Sequence, residues 1–147
     1  MEHGFPMRRV LLLLLFLSAH APHTWAVDKH LVLVASAKSP ISTLTATEAR
    51  KLYLGMPFRV DGKTITPLRN TSDSLLQEVF MQRVMYMATE TYERQILNRV
   101  FRMGGERPPI HADPRELVAA LRSNFLAISY MWQEAAVAVP GIKIVGE

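Results

Sequence analysis

The chain has 147 residues, 17 of them basic and 13 acidic, with no cysteine and a formal net charge of +4. The absence of cysteine excludes disulfides, thiolate metal sites and the lipid anchor of bacterial lipoproteins. Residues 1–26 hold two arginines and one glutamate, which leaves 15 basic and 12 acidic residues in the rest of the chain. This excess suits an anionic ligand but is far from the clustered basic surface of a nucleic-acid binder, so we expect no nucleic-acid partner.

Residues 1–26 have the pattern of a secretory signal peptide. Arg8 and Arg9 precede an apolar run over residues 10–17, and Thr24 and Ala26 supply small residues before a cleavage site. The apolar run is too short to span a bilayer as a stable anchor. Cleavage after Ala26 would release one domain, residues 27–147, into the periplasm of a Gram-negative bacterium, with no membrane span. An uncleaved anchor is the alternative.

The first half of this domain starts with a strand and a helix. Residues 31–35 are continuously apolar and β-branched, which predicts a buried strand. Residues 36–42 form a loop. Thr45 and Glu48 then have the spacing of a capping box, and the helix that they start ends at Gly55.

The remaining elements alternate between strands and helices. We predict strands over residues 65–68, 126–131 and 142–145, and helices from Ser72 to about Met87, over 90–102, and from Asp113 onward. This alternation indicates an α/β fold with a mostly parallel sheet covered on both faces, a three-layer α/β/α lobe. Ligands of such folds lie beyond the carboxyl ends of strands, which here are followed by residues 36–42, 69–74 and 130–133.

Residues 65–80 are the most informative segment. A short strand, a polar turn and an amphipathic helix follow one another, a geometry that directs free backbone N–H groups and a helix dipole at one point. Such a point binds anions, and Arg69 would add a planar cation beside it. The alternative is that Ser72 or Asp73 only caps the helix and that Arg69 is solvated.

Three segments resemble the phosphate-type substrate-binding proteins of ABC transporters. They are LVLVASAKSPISTLTATEARKLYLGM over residues 31–56, ITPLRNTSDSLLQEVF over 65–80 and LAISYM over 126–131. The resemblance implies a lobe of the type II periplasmic-binding-protein kind. It also implies that the protein binds a small oxyanion such as phosphate, with no catalytic activity and no cofactor.

The resemblance also implies which residues bind the ligand. Ser74 matches a family serine that donates a hydroxyl and a backbone N–H to phosphate, and Arg69 lies one residue farther from it than the family arginine. Together with Ser72 they would contact the oxyanion, assisted by Ser36 or Ser39 from the first loop.

The same segment departs from the family pattern at three positions. Leu75 and Leu76 replace a glycine and a hydroxyl donor, and Asp73 replaces a glycine and would repel a phosphate. At roughly 1.5–3 kcal/mol for a hydrogen bond to a charged group, these changes would lower the affinity for phosphate by orders of magnitude. The binding hypothesis therefore requires free amides near Ser74, neither blocked by Leu76 nor neutralised by Asp73.

A second hypothesis follows from these departures and from the length of the domain. Full members of the family close two lobes over the ligand, whereas this domain matches one, so its site would be half-open or completed by a partner chain. The chain would then be an interaction or accessory module for a membrane transporter or a sensor.

Other residues give no support for an enzyme or a metal site. No serine has the pattern of a nucleophile elbow, and no spacing suggests a pair of catalytic carboxylates. His30 and His111 lack a second ligand at metal spacing. Glu93 is interpreted as part of an exposed charged helix face, and Trp132 as a partly buried packing residue or part of a ligand cleft.

Overall fold

The computed structural model of the chain describes residues 28–147. The predicted signal peptide and its cleavage site lie outside the described residues. Among the helices between Asp28 and Glu147, none combines the length and the apolar character needed to cross a bilayer.

The part of the chain that the structure describes contains five α-helices and one π-helical turn. The α-helices are α1 Ala46–Tyr53, α2 Ser74–Phe80, α3 Thr89–Met103, α4 Pro114–Ser123 and α5 Gln133–Ala138. The π-helical turn, Met81–Met85, continues α2 directly and ends at Tyr86 in the left-handed region, so the helix predicted to reach about Met87 is confirmed as two joined segments. Only α5 has no counterpart in the prediction.

The three longest strands match predicted ones, whereas the strand predicted over residues 65–68 is present only as Thr66–Pro67. The strands are β1 Leu31–Ser36, β2 Arg59–Val60, β3 Lys63–Thr64, β4 Thr66–Pro67, β5 Arg69–Asn70, β6 Ile110–His111, β7 Ala127–Trp132 and β8 Ile142–Gly146. The central sheet has the order β4-β7-β1-β8. Two small sheets accompany it, the hairpin β2-β3 and the parallel pair β5-β6.

The direction of β1 corrects the predicted sheet. β4 and β7 are parallel, but β1 runs antiparallel to both β7 and β8, so one strand opposes the other three and the sheet is mixed. The α/β class is confirmed, and the mostly parallel description overlooked the reversal of β1. Its physical consequence is that the loop after β1 leaves the sheet at the opposite end from the segment after β7.

Helices cover both faces of the sheet, as the three-layer prediction requires. Along β1, Leu33 and Ala35 belong to one hydrophobic core, whereas Val32 and Val34 belong to the other. The first core is completed by α1, α2, the π-helical turn and α3, and the second by α4 and α5. Alternation of side chains along the strand places both sets in the interior.

A cluster of three aromatic rings packs α2 against the sheet. The rings of Phe80 and Tyr130 lie 3.7 Å apart between centroids at an interplanar angle of 6°, and Tyr53 meets Phe80 edge-on at 4.8 Å. All three side chains are fully buried. Because Phe80 closes α2 and Tyr130 lies in β7, this contact packs the last turn of α2 against β7.

The predicted capping box at α1 is confirmed. The Thr45 hydroxyl accepts a hydrogen bond from the Glu48 amide at 3.2 Å, and the Glu48 carboxylate accepts one from the Thr45 amide at 2.8 Å. Gly55, which follows α1, has φ of +82°, a conformation that favours glycine.

Candidate functional site

The start of α2, where the oxyanion was expected, contains a carboxylate of the protein itself. Asp73 is the N-cap, and its Oδ1 accepts hydrogen bonds from the amides of Leu75 at 2.9 Å and Leu76 at 3.1 Å. These are orphan donors of the first helical turn that an anion would otherwise use. The expectation of free amides is therefore not met at these two positions, and of the two alternatives for the cap, Asp73 rather than Ser72 is correct.

Trp132 makes a further contact with the same carboxylate. This residue ends β7, and its indole Nε1–H donates to Asp73 Oδ2 at 2.8 Å. The hydrogen bond from Trp132, followed by the bond from the Leu76 amide, lowers the pKa of Asp73 below its ordinary value. The carboxylate is therefore ionised at neutral pH and held by three donors.

Asn70 organises the turn before Asp73. Its side chain is buried, donates Nδ2–H to the Tyr130 carbonyl at 3.0 Å and accepts through Oδ1 from the amide and hydroxyl of Ser72, at 3.1 Å and 2.6 Å. The Ser72 hydroxyl is thus already donating within the protein. Ser74 opens α2 and is exposed to solvent.

Arg69 has a charge partner on α3. It is 2% exposed, it donates Nη2–H to Glu93 Oε1 at 2.6 Å, and its guanidinium carbon lies 5.0 Å from the centre of the Tyr92 ring. Glu93 also pairs with Arg107, so one carboxylate serves two cations. The alternative of a solvated Arg69 is wrong, and so is the interpretation of Glu93 as a residue of an exposed charged face only. Since neighbouring side chains of a strand point to opposite sides, Arg69 and Asn70 diverge.

Ser36 and Ser39 lie at the other end of the sheet. Ala35 is the register partner of Ile128, near the start of β7, whereas Leu31 is opposite Trp132. The hydroxyls of Ser36 and Ser39 accept hydrogen bonds from the local amides of Lys38 and Ile41. The predicted grouping of these serines with Ser72 and Ser74 is corrected: the reversal of β1 separates the two pairs by the length of the strand.

A cleft adjoins the Asp73 carboxylate. Its volume is about 240 Å³, and α2, α4, α5 and the ends of β5 and β7 contribute to its wall. Trp132 is partly buried, as predicted for a packing residue, and it also lines this cleft. Among residues 28–147, no group of three or more potential metal ligands is present.

Sequence reasoning missed the partnerships that join distant segments. Trp132 is 59 positions from Asp73, and Glu93 is 24 positions from Arg69. The usable signal for the second pair was Arg69 itself, since an arginine in an otherwise apolar strand region requires a carboxylate if it is buried.

Solved structures with the same fold include two phosphate-transport proteins. An ABC-type phosphate transport receptor from Vibrio cholerae superposes with a TM-score of 0.59 and 12% sequence identity, covering 80% of this chain and 45% of the receptor. A putative phosphate ABC transporter substrate-binding protein with bound phosphate from Clostridium perfringens gives 0.59 and 14%, covering 80% of this chain and 44% of that protein. No protein-family model and no curated protein sequence matches the chain.

These likenesses confirm the predicted fold. The chain has the fold of part of the phosphate ABC transporter substrate-binding proteins and spans less than half the length of the two solved relatives. At such low sequence identity the likeness concerns the fold alone, because the same fold hosts sites of different chemistry.

Proposed function

We propose that this chain is a non-enzymatic periplasmic module that uses a substrate-binding-protein lobe for interaction with a membrane transporter or a sensor. The observation that carries the proposal is the Asp73 carboxylate, which is bonded to the Leu75 and Leu76 amides and to Trp132. A single domain over residues 27–147, exported by a cleaved signal peptide, belongs to the same proposal.

The carboxylate disfavours a phosphate at the start of α2. A phosphate there would have to displace Asp73 from three hydrogen bonds or share the position with it. Two like charges at about 4 Å repel by roughly 4 kcal/mol at an effective dielectric constant of 20, enough to offset much of the gain from new hydrogen bonds. The positive end of the α2 dipole already has a negative charge beside it, so the helix start is electrostatically satisfied.

The exposed surface around this helix start supports an interaction role. Leu75, two residues after Asp73, is 50% exposed, and the cleft beside Trp132 lies at the same end of the sheet. In the larger solved relatives, more than half of the protein lies outside the part matched by this chain. A partner protein that contacts this end would bury Leu75.

Site-specific photo-crosslinking in the native host tests the interaction. A photoreactive residue at Leu75 should give one defined adduct. The matched control is Phe125, which is 44% exposed and precedes β7 at the other end of the sheet. Equal labelling from both positions, or no adduct from Leu75, would contradict the proposal.

A second candidate is capture of a small, phosphate-like oxyanion by Arg69, Ser72 and Ser74, in a half-open site or one completed by a partner chain. It requires Arg69 to turn from Glu93 towards Ser72, because Arg69 and Asn70, the partner of Ser72, point to opposite sides of β5. One observation favours it: Arg69 Nε and Nη1 are buried and find no hydrogen-bond partner among the described residues. Such donors favour an added acceptor.

A thermal-shift scan with phosphate, sulfate and small carboxylates at millimolar concentration tests this candidate. Stabilisation that disappears in Ser74→Ala would support it. An unchanged melting temperature with every anion would eliminate it for those ligands.

A further inference from the structure

The cleft beside Asp73 is apolar along most of its wall. Leu76 of α2, Leu117 and Val118 of α4 and Met131 of β7 line it, and Leu76, Leu117 and Met131 are buried side chains of the adjoining cores. The volume of about 240 Å³ is smaller than the roughly 300–1,000 Å³ of pockets for drug-sized ligands. A cavity of about 150 Å³ accommodates benzene, so this cleft has room for a body of at least five or six carbons.

The polar end of the cleft offers acceptors rather than donors. The Asn70 amide donates to the Tyr130 carbonyl, the Ser72 hydroxyl donates to Asn70, and the Trp132 indole donates to Asp73. A carboxylate has about four acceptor positions, and Asp73 uses two on Oδ1 and one on Oδ2. A ligand with a hydrogen-bond donor therefore finds an acceptor here, whereas an anion finds a negative charge.

The charged side chains near the cleft also favour a cationic ligand. On the other side of Trp132, a second cleft of about 380 Å³ is lined by two carboxylates, Asp28 and Glu134, together with Lys29 and His30. With Asp73 included, three carboxylates face one lysine and one histidine in a chain whose overall charge is positive. The lysine ammonium lies 5.3 Å from the centre of the Trp132 ring, and its charge contributes to the lowered pKa of Asp73. Because the carboxylates still outnumber these basic groups, this end of the sheet favours a cation over an anion, although the solved relatives that share the fold are phosphate-transport proteins.

We propose that the cleft between α2, α4 and α5 binds an organic ammonium ion, with a short aliphatic body against the accessible wall residues Val118, Ala135 and Val139 and its N–H groups donating to the Asp73 carboxylate. The inference rests on the proposed function, because it requires that Asp73 and not an external anion occupies the start of α2. It adds to that function the chemical class of a ligand that binds beside Asp73.

Two probes with the same carbon skeleton and opposite charge test the proposal. In the exported chain, titration with 3-methylbutylammonium should shift the Trp132 indole N–H resonance and the Leu75 and Leu76 amide resonances saturably. The same titration with 3-methylbutanoate should leave these resonances in place. Trp132→Phe assigns the indole resonance. Equal binding of both probes, or no saturable shift with the ammonium ion up to tens of millimolar, would overturn the proposal.

Two pairs of variants locate the binding. Asp73→Asn retains a capping oxygen without the charge and should weaken ammonium binding about tenfold, whereas Asp113→Asn at the start of α4 should have no effect. Ala135→Trp should fill the cleft and abolish binding, whereas Ala119→Trp at an exposed position of α4 outside the cleft should not. Unchanged affinity in both Asp73→Asn and Ala135→Trp would also overturn it.

These outcomes can be separated from failure of the proposed function. If the ammonium ion does not bind while Leu75 still crosslinks to one partner and phosphate does not bind, only the ligand assignment is wrong. If phosphate binds to the unmodified protein, the premise of both proposals is wrong.

Discussion

The starts of α2 and α4 have the same local chemistry and differ in their surroundings. Asp73 and Asp113 are both N-caps, and Asp113 Oδ1 accepts a hydrogen bond from the Arg115 amide at 2.7 Å. Asp73 caps two amides and is also bonded to Trp132 from the end of β7. A local motif therefore predicts the cap, but only the tertiary contact converts one of the two caps into the polar end of a cleft.

The largest expected effect is on stability, when each of the two capping carboxylates is removed in turn. We expect Asp73→Ala to lower the free energy of unfolding by about 2 kcal/mol and Asp113→Ala by about 1 kcal/mol, since loss of a cap costs roughly 0.5–2 kcal/mol and Asp73→Ala also leaves the Trp132 indole without its acceptor. Urea denaturation followed by circular dichroism measures both. Equal losses would mean that the Trp132 contact contributes nothing.

Removal of the tertiary contact alone should have a smaller effect. Trp132→Phe deletes the indole donor while it retains an aromatic ring, and we expect a loss of about 1 kcal/mol, the typical contribution of one hydrogen bond. In the Asp73→Ala background the same change should cost less, because the partner is already absent. A double-mutant cycle measures the coupling, and strict additivity of the two losses would contradict the contact.

The smallest expected effect is a dependence on pH. The pKa of Asp73 is lowered in the folded state from a reference value of 3.8, so its ionised form stabilises the protein above that reference value, and this contribution is lost as the pH falls through the folded-state pKa. The difference in unfolding free energy between the unmodified protein and Asp73→Asn should therefore shrink as the pH is lowered below about 4. The shrinkage should be weaker in the Trp132→Phe background, since the bond from Trp132 is the largest cause of the lowered pKa. A difference that stays constant from neutral to acid pH would contradict this account.

Much of the fold could be predicted because its signals are local. The capping box of Thr45 and Glu48, the aspartate cap with Pro114, and the apolar strands β1, β7 and β8 depend on neighbouring residues, and each is present in the structure. The direction of β1 could not be predicted, because a strand's own sequence does not say which way it pairs with β7 and β8. Because the direction of β1 was wrong, the prediction placed Ser36 and Ser39 at the wrong end of the sheet.

The position of the candidate site in the chain could be predicted, but the hydrogen-bond and ion-pair partners of its residues could not. The strand, turn and helix over residues 65–80 are present, and the departures at Asp73 and Leu76 already indicated a problem for an anion. The bond from Trp132 to Asp73 and the ion pair of Arg69 with Glu93 join segments far apart in the chain, and no spacing rule finds such pairs.

The central claim is that the Asp73 carboxylate occupies the place an oxyanion would take, and calorimetric titration with phosphate tests it most directly. Three proteins are compared: the unmodified chain, Asp73→Gly and the matched control Asp113→Gly. Glycine is tolerated at an N-cap at a cost of a few tenths of a kcal/mol, to which Asp73→Gly adds about 1 kcal/mol for the lost bond from Trp132. We predict no binding heat for the unmodified chain or for Asp113→Gly, and weak binding for Asp73→Gly, whose Leu75 and Leu76 amides are released. Tight phosphate binding by the unmodified chain that Asp73→Gly does not strengthen would contradict the account.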